Sequence, residues 1–362
     1  MKKIIFMIIL FIIMIQFCKK TEIVGFTITA WEETDEMAAG IHDDAADDPA
    51  IWINDEDRSQ SIVFGTNKID QGGVYAFDLK GNKLTYYKIG AINNIDVRYG
   101  LTNGLDTIDF LGGSNRSDTT LTFMKIDSRG VLTPTGKIKS KVDEVYGFCL
   151  HHDKKSNEFY AFVVSSSGQL EQWELGLSED LMITGELVRQ IEVGSKCEGL
   201  VADDELNILY VGEEENCIWK YSTDATTGES REKLVMSGAE NSKIAYDIEG
   251  LGLYYMPNGE GYLIASSQGN FSYALFDRKK GHYLTSFSVV DGTIDGVQET
   301  DGLEILNLSL NEEFDSGLLV VQDGYNYNKD KKYSQNFKYI RWQDIVNSSD
   351  VELKINNEYD IR

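Results

Sequence analysis

From about residue 45 onward, short runs of apolar residues alternate with polar ones, and Gly, Asn and Asp separate the runs. SIVFGTN begins at residue 61, GVYAFDLKGN at 73, EFYAFVVSS at 158 and GYLIASSQGN at 261. Alternation puts successive side chains on opposite faces of a strand, and the interrupting residues are those that turns require. Helical spacing of apolar positions is scarce. Many short, evenly spaced strands predict an all-β fold.

One strand-and-turn unit recurs. VYAFDLKGN, FMKIDSRG, EQWELGL, IWKYSTDATTG, YALFDRKKG and KYIRWQDI alternate in the same way, and most run into a turn. Anchored on Tyr75, Met124, Trp173, Trp219, Leu275 and Ile340, they are spaced by 49, 49, 46, 56 and 65 residues. A period near 50 matches one four-stranded blade of a β-propeller, whereas a two-sheet sandwich with an added domain has no such repeat. The chain therefore predicts a six-bladed β-propeller over residues 41–362. In that architecture the same loop of every blade opens on one face, so acids far apart in sequence can converge.

The stretch HDDAADDPAIW, from residue 42, crowds Asp43, Asp44, Asp47 and Asp48 before a proline and a buried-looking Ile-Trp pair. It is either a solvated acidic turn or a place where a hard cation offsets the repulsion. The whole chain is acidic, with 59 Asp and Glu against 34 Lys and Arg and a net charge of −25. That excludes nucleic acid as a partner, because phosphate-backbone binding needs a basic surface. An anionic ligand remains compatible if metal ions bridge it to the protein.

The N-terminus is organised differently. MKKIIFMIILFIIMIQFC has two lysines and then an almost unbroken apolar run from Ile4 to Phe17. This is the pattern of an export signal, and the run is short of the roughly 20 residues that span a bilayer. It ends at Cys18, which resembles the lipidation cysteine of bacterial lipoproteins, with Ile15 fitting that pattern and Phe17 bulkier than the small residue usual before the cysteine. Residues 1–18 are thus expected to be an export signal ending in a lipidation cysteine, and residues 19–40 a linker. Cleaved secretion and an uncleaved anchor are the alternatives. The expected location is outside the cytoplasm, with membrane contact only through the lipid. Cys149, Cys197 and Cys217 lack metal-type spacing and read as buried thiols, with a Cys197–Cys217 disulfide as the alternative.

Acidic motifs stand at comparable places in successive repeats: ADDPAIW (Asp47, Asp48), DEVYGF (Asp143, Glu144, Tyr146), CEGLVADD (Glu198, Asp203, Asp204), GEEEN (Glu213, Glu214, Glu215), DIEGLGLYY (Asp247, Glu249), IDG (Asp295) and TDGLEIL (Asp301). Calcium takes six to eight oxygen ligands, so carboxylates from several blades, with Gln268 of SSQGN, could hold more than one ion. Lys68, Arg98 and Arg116 lie in neighbouring motifs. Each alone reads as a surface charge, but together beside a metal ring they suit phosphate.

DAADDPAIW, NNIDVRYG, SNRS, DEVYGF, CEGLVADDE, DIEGL, GYLIASSQGN, TDGLEIL, VVQDG and QNFKYIRW occur in this order between residues 42 and 342. In combination they resemble the β-propeller phytases. The resemblance implies a six-bladed propeller that removes phosphate from phytate (myo-inositol hexakisphosphate) with several calcium ions. The implied route is in-line attack of metal-activated water, with a neighbouring phosphate held in an affinity site. It implies calcium ligands at Asp47, Glu198, Glu214, Asp247, Glu249, Gln268 and Asp295, with Glu198 and Glu249 also in catalytic roles. Tyr146 matches the active-site tyrosine, and Lys68 and Arg116 match the residues that grip the scissile phosphate. Arg98 is a further candidate for substrate binding. A monomer acting on a small molecule, phytate as its calcium complex, is the expected state.

The chain departs from the family pattern where charge should meet the second phosphate. Ile69 follows Lys68 where a second lysine is usual, and Ser166 and Ser167 replace a lysine and an acid; Lys196 is the basic residue nearest to hand as a substitute. No Arg-His-Gly or Cys-x5-Arg motif is present for a covalent phosphoenzyme, and four histidines are few for a His-rich di-iron centre. A calcium-dependent lactonase or phosphotriesterase, and a non-catalytic calcium-binding surface propeller, are the competing functions.

Overall fold

The computed structural model describes residues 23–362. The expected export signal and Cys18 lie outside them. Six antiparallel sheets form a ring: residues 46–88, 92–139, 145–192, 197–233 and 248–289 supply blades 1 to 5, and blade 6 is built mainly from residues 303–341. The first strands of consecutive blades lie side by side, and Leu303–Leu306 of blade 6 returns to Ala46–Trp52 of blade 1. The fold is the six-bladed β-propeller that the repeat predicts. Tyr75, Met124, Trp173, Trp219, Leu275 and Ile340 all fall on the third strand of their blades. The long final spacing contains an extra hairpin, Tyr327–Asn328 with Lys331–Lys332, inserted before the third strand of blade 6.

Six hydrophobic clusters occupy the six gaps between neighbouring blades. Each inner sheet face therefore packs on both sides. Every residue of Ala46–Trp52 and Ile62–Asn67 is buried, while the outermost strand Lys83–Lys88 is exposed or half-buried. Polar-apolar alternation is consequently weak in the inner strands, which have no solvent face.

The expected linker at 19–40 is, over its described part, a component of the ring. Glu32–Glu33 pairs antiparallel with Asn336–Arg341 as the outermost strand of blade 6, and Phe26–Ile28 pairs in parallel with Tyr283–Val289 as a fifth strand of blade 5. The sixth blade thus joins both ends of the chain, which closes the ring non-covalently. Charge reinforces the join. The Lys338 ammonium, wholly buried, pairs with Glu33 from the N-terminal strand, with Asp295 at 2.5 Å and with Asp323 at 3.4 Å. Cys149, Cys197 and Cys217 are free, buried thiols.

The inner strand of each of blades 1 to 5 carries a register break at the same place: Ala46/Pro49, Ile92/Ile95, Val145/Phe148, Cys197/Leu200 and Ile248/Leu251. Such a bulge re-aims the side chains it contains. The bulges are pressed together: a Cβ on Gly147 would lie 1.9 Å from the carbonyl oxygen of Glu198, and one on Gly199 2.0 Å from that of Glu249. Glycine is required at the second bulge position of blades 3 and 4 because the next blade's backbone occupies the space.

Replacing one partner of a buried ion network leaves the others uncompensated, at a cost of about 3–5 kcal/mol. Lys338→Met, which leaves three carboxylates facing one another at the closure, is expected to lower unfolding stability by that amount in a denaturant titration. A loss below about 1 kcal/mol would mean that the closure does not depend on this lysine.

Candidate active site

The bulges put one polar side chain per blade at the same end of the central channel: Asp47, Asn93, Tyr146, Glu198 and Glu249, with Asp301 in the matching position just ahead of Leu303–Leu306. Over this ring lies a cleft of about 380 Å³, lined among others by Asp44, Lys68, Tyr146, Lys196, Glu198, Asp247, Glu249, Gln268 and Asp301. Of the residues expected to act together, the structure therefore gathers Asp47, Lys68, Tyr146, Glu198, Glu214, Asp247, Glu249 and Gln268, with Arg116 at the edge.

Carboxylate oxygens of Glu198, Glu214 and Glu249 lie within 4.8 Å of one another, and all three residues are buried. Burial pushes the Glu249 carboxyl well above the usual carboxylate range, and the charges of Glu198 and Glu214 push it further. Burial likewise raises Glu214 to about 7, against the pull of Lys196 at 2.9 Å. Burial also works against charge on Glu198, but Lys68 and hydrogen bonds hold it below the usual range. A cation standing between them would let all three be charged at once. The donor set supports one: Glu214 Oε1, Glu249 Oε2 and Asp47 Oδ1 are buried and accept no hydrogen bond. Hard oxygen donors suit calcium, and the residues fit that ion. Glu213, next in sequence, is different. It accepts from Ser195 at 2.6 Å, Asn216 at 2.7 Å and Trp219 at 2.7 Å, and so braces the blade.

Lys68 is the positive centre of the opposite side. Its ammonium pairs with Asp44 at 3.0 Å, Asp301 at 3.1 Å and Asp47 at 3.2 Å. Asp301 also accepts from the Gln268 amide at 2.6 Å, and its carboxyl is raised by burial to about 7. The Asn93 amide donates to Glu198 at 2.6 Å and its oxygen accepts from Arg116 at 3.2 Å, which links the acid cluster to the arginine. Arg116 in turn pairs with Glu144 at 3.0 Å. The guanidinium of Arg116 and the ammonium of Lys196 lie 5.7 and 5.2 Å from the Tyr146 ring centre. Burial, and then the charge of Glu198, keep the Tyr146 hydroxyl protonated.

Two candidates stand elsewhere. Arg98 sits in a separate cavity at the other end of the channel, where it pairs with Asp96 at 2.7 Å and Asp204 at 2.9 Å. It lies five residues along the inner strand from Asn93, roughly 16 Å at 3.3 Å per residue. Asp295 is outside the cleft and is committed to Lys338 and to the Tyr327 backbone. Asn93 and Asp301 are the members of the ring that the motif reading did not assign. Their signal is the bulge pattern itself: Asp47, Asn93, Tyr146, Glu198, Glu249 and Asp301 each stand three residues or fewer before an apolar strand core, and the last four are separated by 52, 51 and 52 residues. Asp295 breaks that spacing.

The sequence profile of the phytase family matches residues 4–362. The chain is 40% identical to the 3-phytase of Bacillus subtilis (strain 168) over 330 residues, covering 89% of this chain and 85% of the relative. Among solved structures, regucalcin from Agrobacterium tumefaciens, a calcium-binding protein, superposes with a TM-score of 0.52 at 10% identity, over 87% of this chain and 95% of that one. A Lactobacillus plantarum protein gives a TM-score of 0.48 at 14% identity, over 81% and 87% of the two chains. The likeness to regucalcin concerns the fold alone, whereas the profile and the Bacillus relative assign the chemistry: this chain belongs to the phytase family.

Proposed function

We propose that the chain removes phosphate from phytate in a calcium-dependent, 3-phytase-type hydrolysis, with the acid ring as the metal site. The observation that carries this reading is the cluster of Glu198, Glu214 and Glu249 from blades 4 and 5, in which Glu214 and Glu249 keep oxygens without a hydrogen bond beside a cleft that also holds Lys68. Asp47, Glu198, Glu214, Asp247, Glu249 and Gln268 would hold calcium, while Asp301 anchors Lys68 and Gln268. When bound, calcium supplies the positive charge that lets a phosphate monoester dianion enter an acidic cleft.

The chain's own residues then divide the work. Lys68 contributes a point charge at the cleft floor, held there by three carboxylates. Arg116 offers a planar, bidentate donor set to phosphate oxygens. Tyr146 carries a proton and an apolar ring over the acids, and so donates one hydrogen bond while limiting water on that side. The Asn93 amide fixes Glu198 between the two halves. The lactonase reading leaves Lys68 and Arg116 without a role.

The reading also includes export and attachment through Cys18, on the strength of the N-terminal sequence pattern.

Phosphate release from phytate is expected to require calcium and to stop on addition of EGTA. The calcium form should also melt higher than the chelated form, because a ligand bound only by the native state stabilises it. Equal activity in both forms would contradict the metal assignment. Glu249→Gln and Asp247→Asn keep shape and remove charge, and each should cut turnover by about 10²-fold or more with the fold intact by circular dichroism. Near-normal turnover of either at saturating calcium would remove that residue from the site. Cys18→Ser should release the protein from membranes or block its processing, and wild-type processing with membrane retention would favour an uncleaved anchor.

A further inference from the structure

Phytate carries several phosphates, so a cleft that takes it needs cationic contacts beyond those at the scissile group. Around this cleft most cations are already engaged. Lys68 is shared among three carboxylates, Lys196 is paired with Glu214, and Arg116 with Glu144. The blade 3 rim is acidic: Ser166 donates to Glu144 at 3.3 Å and Ser167 to Asp143 at 3.4 Å, so no positive charge stands at these positions. Ile69 packs against the core between blades 6 and 1. Lys332 differs. It lines the cleft from the inserted hairpin of blade 6 and, among the described residues, has no carboxylate within 4.0 Å. Its ammonium rests 5.0 Å from the Tyr325 ring centre. The hairpin is fixed at its base, where Gln335 accepts from the backbone of Ala45 at 2.6 Å and Ala46 at 2.9 Å, beside the acid motif of blade 1. Asn326 further ties its two ends by donating to Ser334 at 2.8 Å.

We infer that Lys332 binds a second phosphate of the substrate, so that the neighbouring phosphate is held over blade 6 rather than over blade 3. This rests on the phytate-hydrolase reading and assigns the direction in which the substrate lies across the cleft. A compact ammonium on a cation–π seat suits a phosphate that is held but not cleaved, since it supplies charge without bidentate geometry.

The test compares Lys332→Met with Lys331→Met in the full-length protein with calcium. Lys331 belongs to the same hairpin, stacks on Tyr333 at 4.2 Å and does not line the cleft. Michaelis parameters are measured for phytate and for p-nitrophenyl phosphate, and equilibrium binding for phytate and inorganic phosphate. Lys332→Met should raise KM for phytate about tenfold more than KM for the monoester, with kcat for phytate changed much less than KM. Phytate binding should weaken by a similar factor relative to inorganic phosphate, and Lys332→Arg should restore most of it. Lys331→Met should show a far smaller difference between the two ligands. Equal effects of Lys332→Met on both ligands, no effect, or the same effect from Lys331→Met would each overturn the assignment. Failure of the wild type to release phosphate from phytate would instead refute the underlying reading, and the binding comparison still decides the role of Lys332.

Discussion

Like-charge repulsion at the centre of the ring is the constraint on which the rest depends. Carboxylates from blades 4 and 5 approach within 4.8 Å, in a buried setting where their repulsion is poorly screened. Lys196 pairs with Glu214 and the Asn93 amide with Glu198, but neither contact brings the two blades together. The approach is imposed by six blades packed through six hydrophobic gaps, by the stacked bulges of their inner strands, and by the joining of both chain ends in blade 6. Stability generated in the blade interfaces is thus partly offset at the axis, which is the usual relation between a scaffold and a preorganised charged site.

The two ends of the channel treat charge in different ways. At the far end Arg98 lies between Asp96 and Asp204, and Arg278 is clamped by Asp203 at 2.6 Å, so charges close on one another. At the cleft end Asp47, Glu214 and Glu249 retain oxygens with no hydrogen bond. Buried polar groups are normally satisfied within the protein, and the exceptions concentrate at binding sites. The unsatisfied acids, rather than acidity in general, therefore mark the functional end of this propeller.

Much of this was legible in the sequence, and the boundary of legibility has physical causes. The third strand of each blade shows clean alternation and ends in a turn, so Tyr75, Met124 and the equivalent residues reveal the repeat. Inner strands such as Ala46–Trp52 are buried on both sides and carry no such pattern. The N-terminal strands are only three and two residues long, too short for periodicity to register, and residues 26–33 consequently resemble a linker. Asp295 followed by glycine imitates the bulge motif, yet it lies in a loop where Lys338 claims it. Arg98 shares a motif with Asn93, but an extended strand carries it to the other end of the channel. Lys332 stands in a lysine-rich stretch that reads as a solvated turn, and only the closed ring brings that turn over the cleft.

The central claim is that the acid ring is a calcium site. Anomalous diffraction from crystals grown in calcium tests it directly. The account predicts a calcium peak bound by Glu198, Glu214 and Glu249, lost in a Glu249→Gln crystal grown under the same conditions. Well-ordered density for these side chains with no calcium peak among them would contradict it.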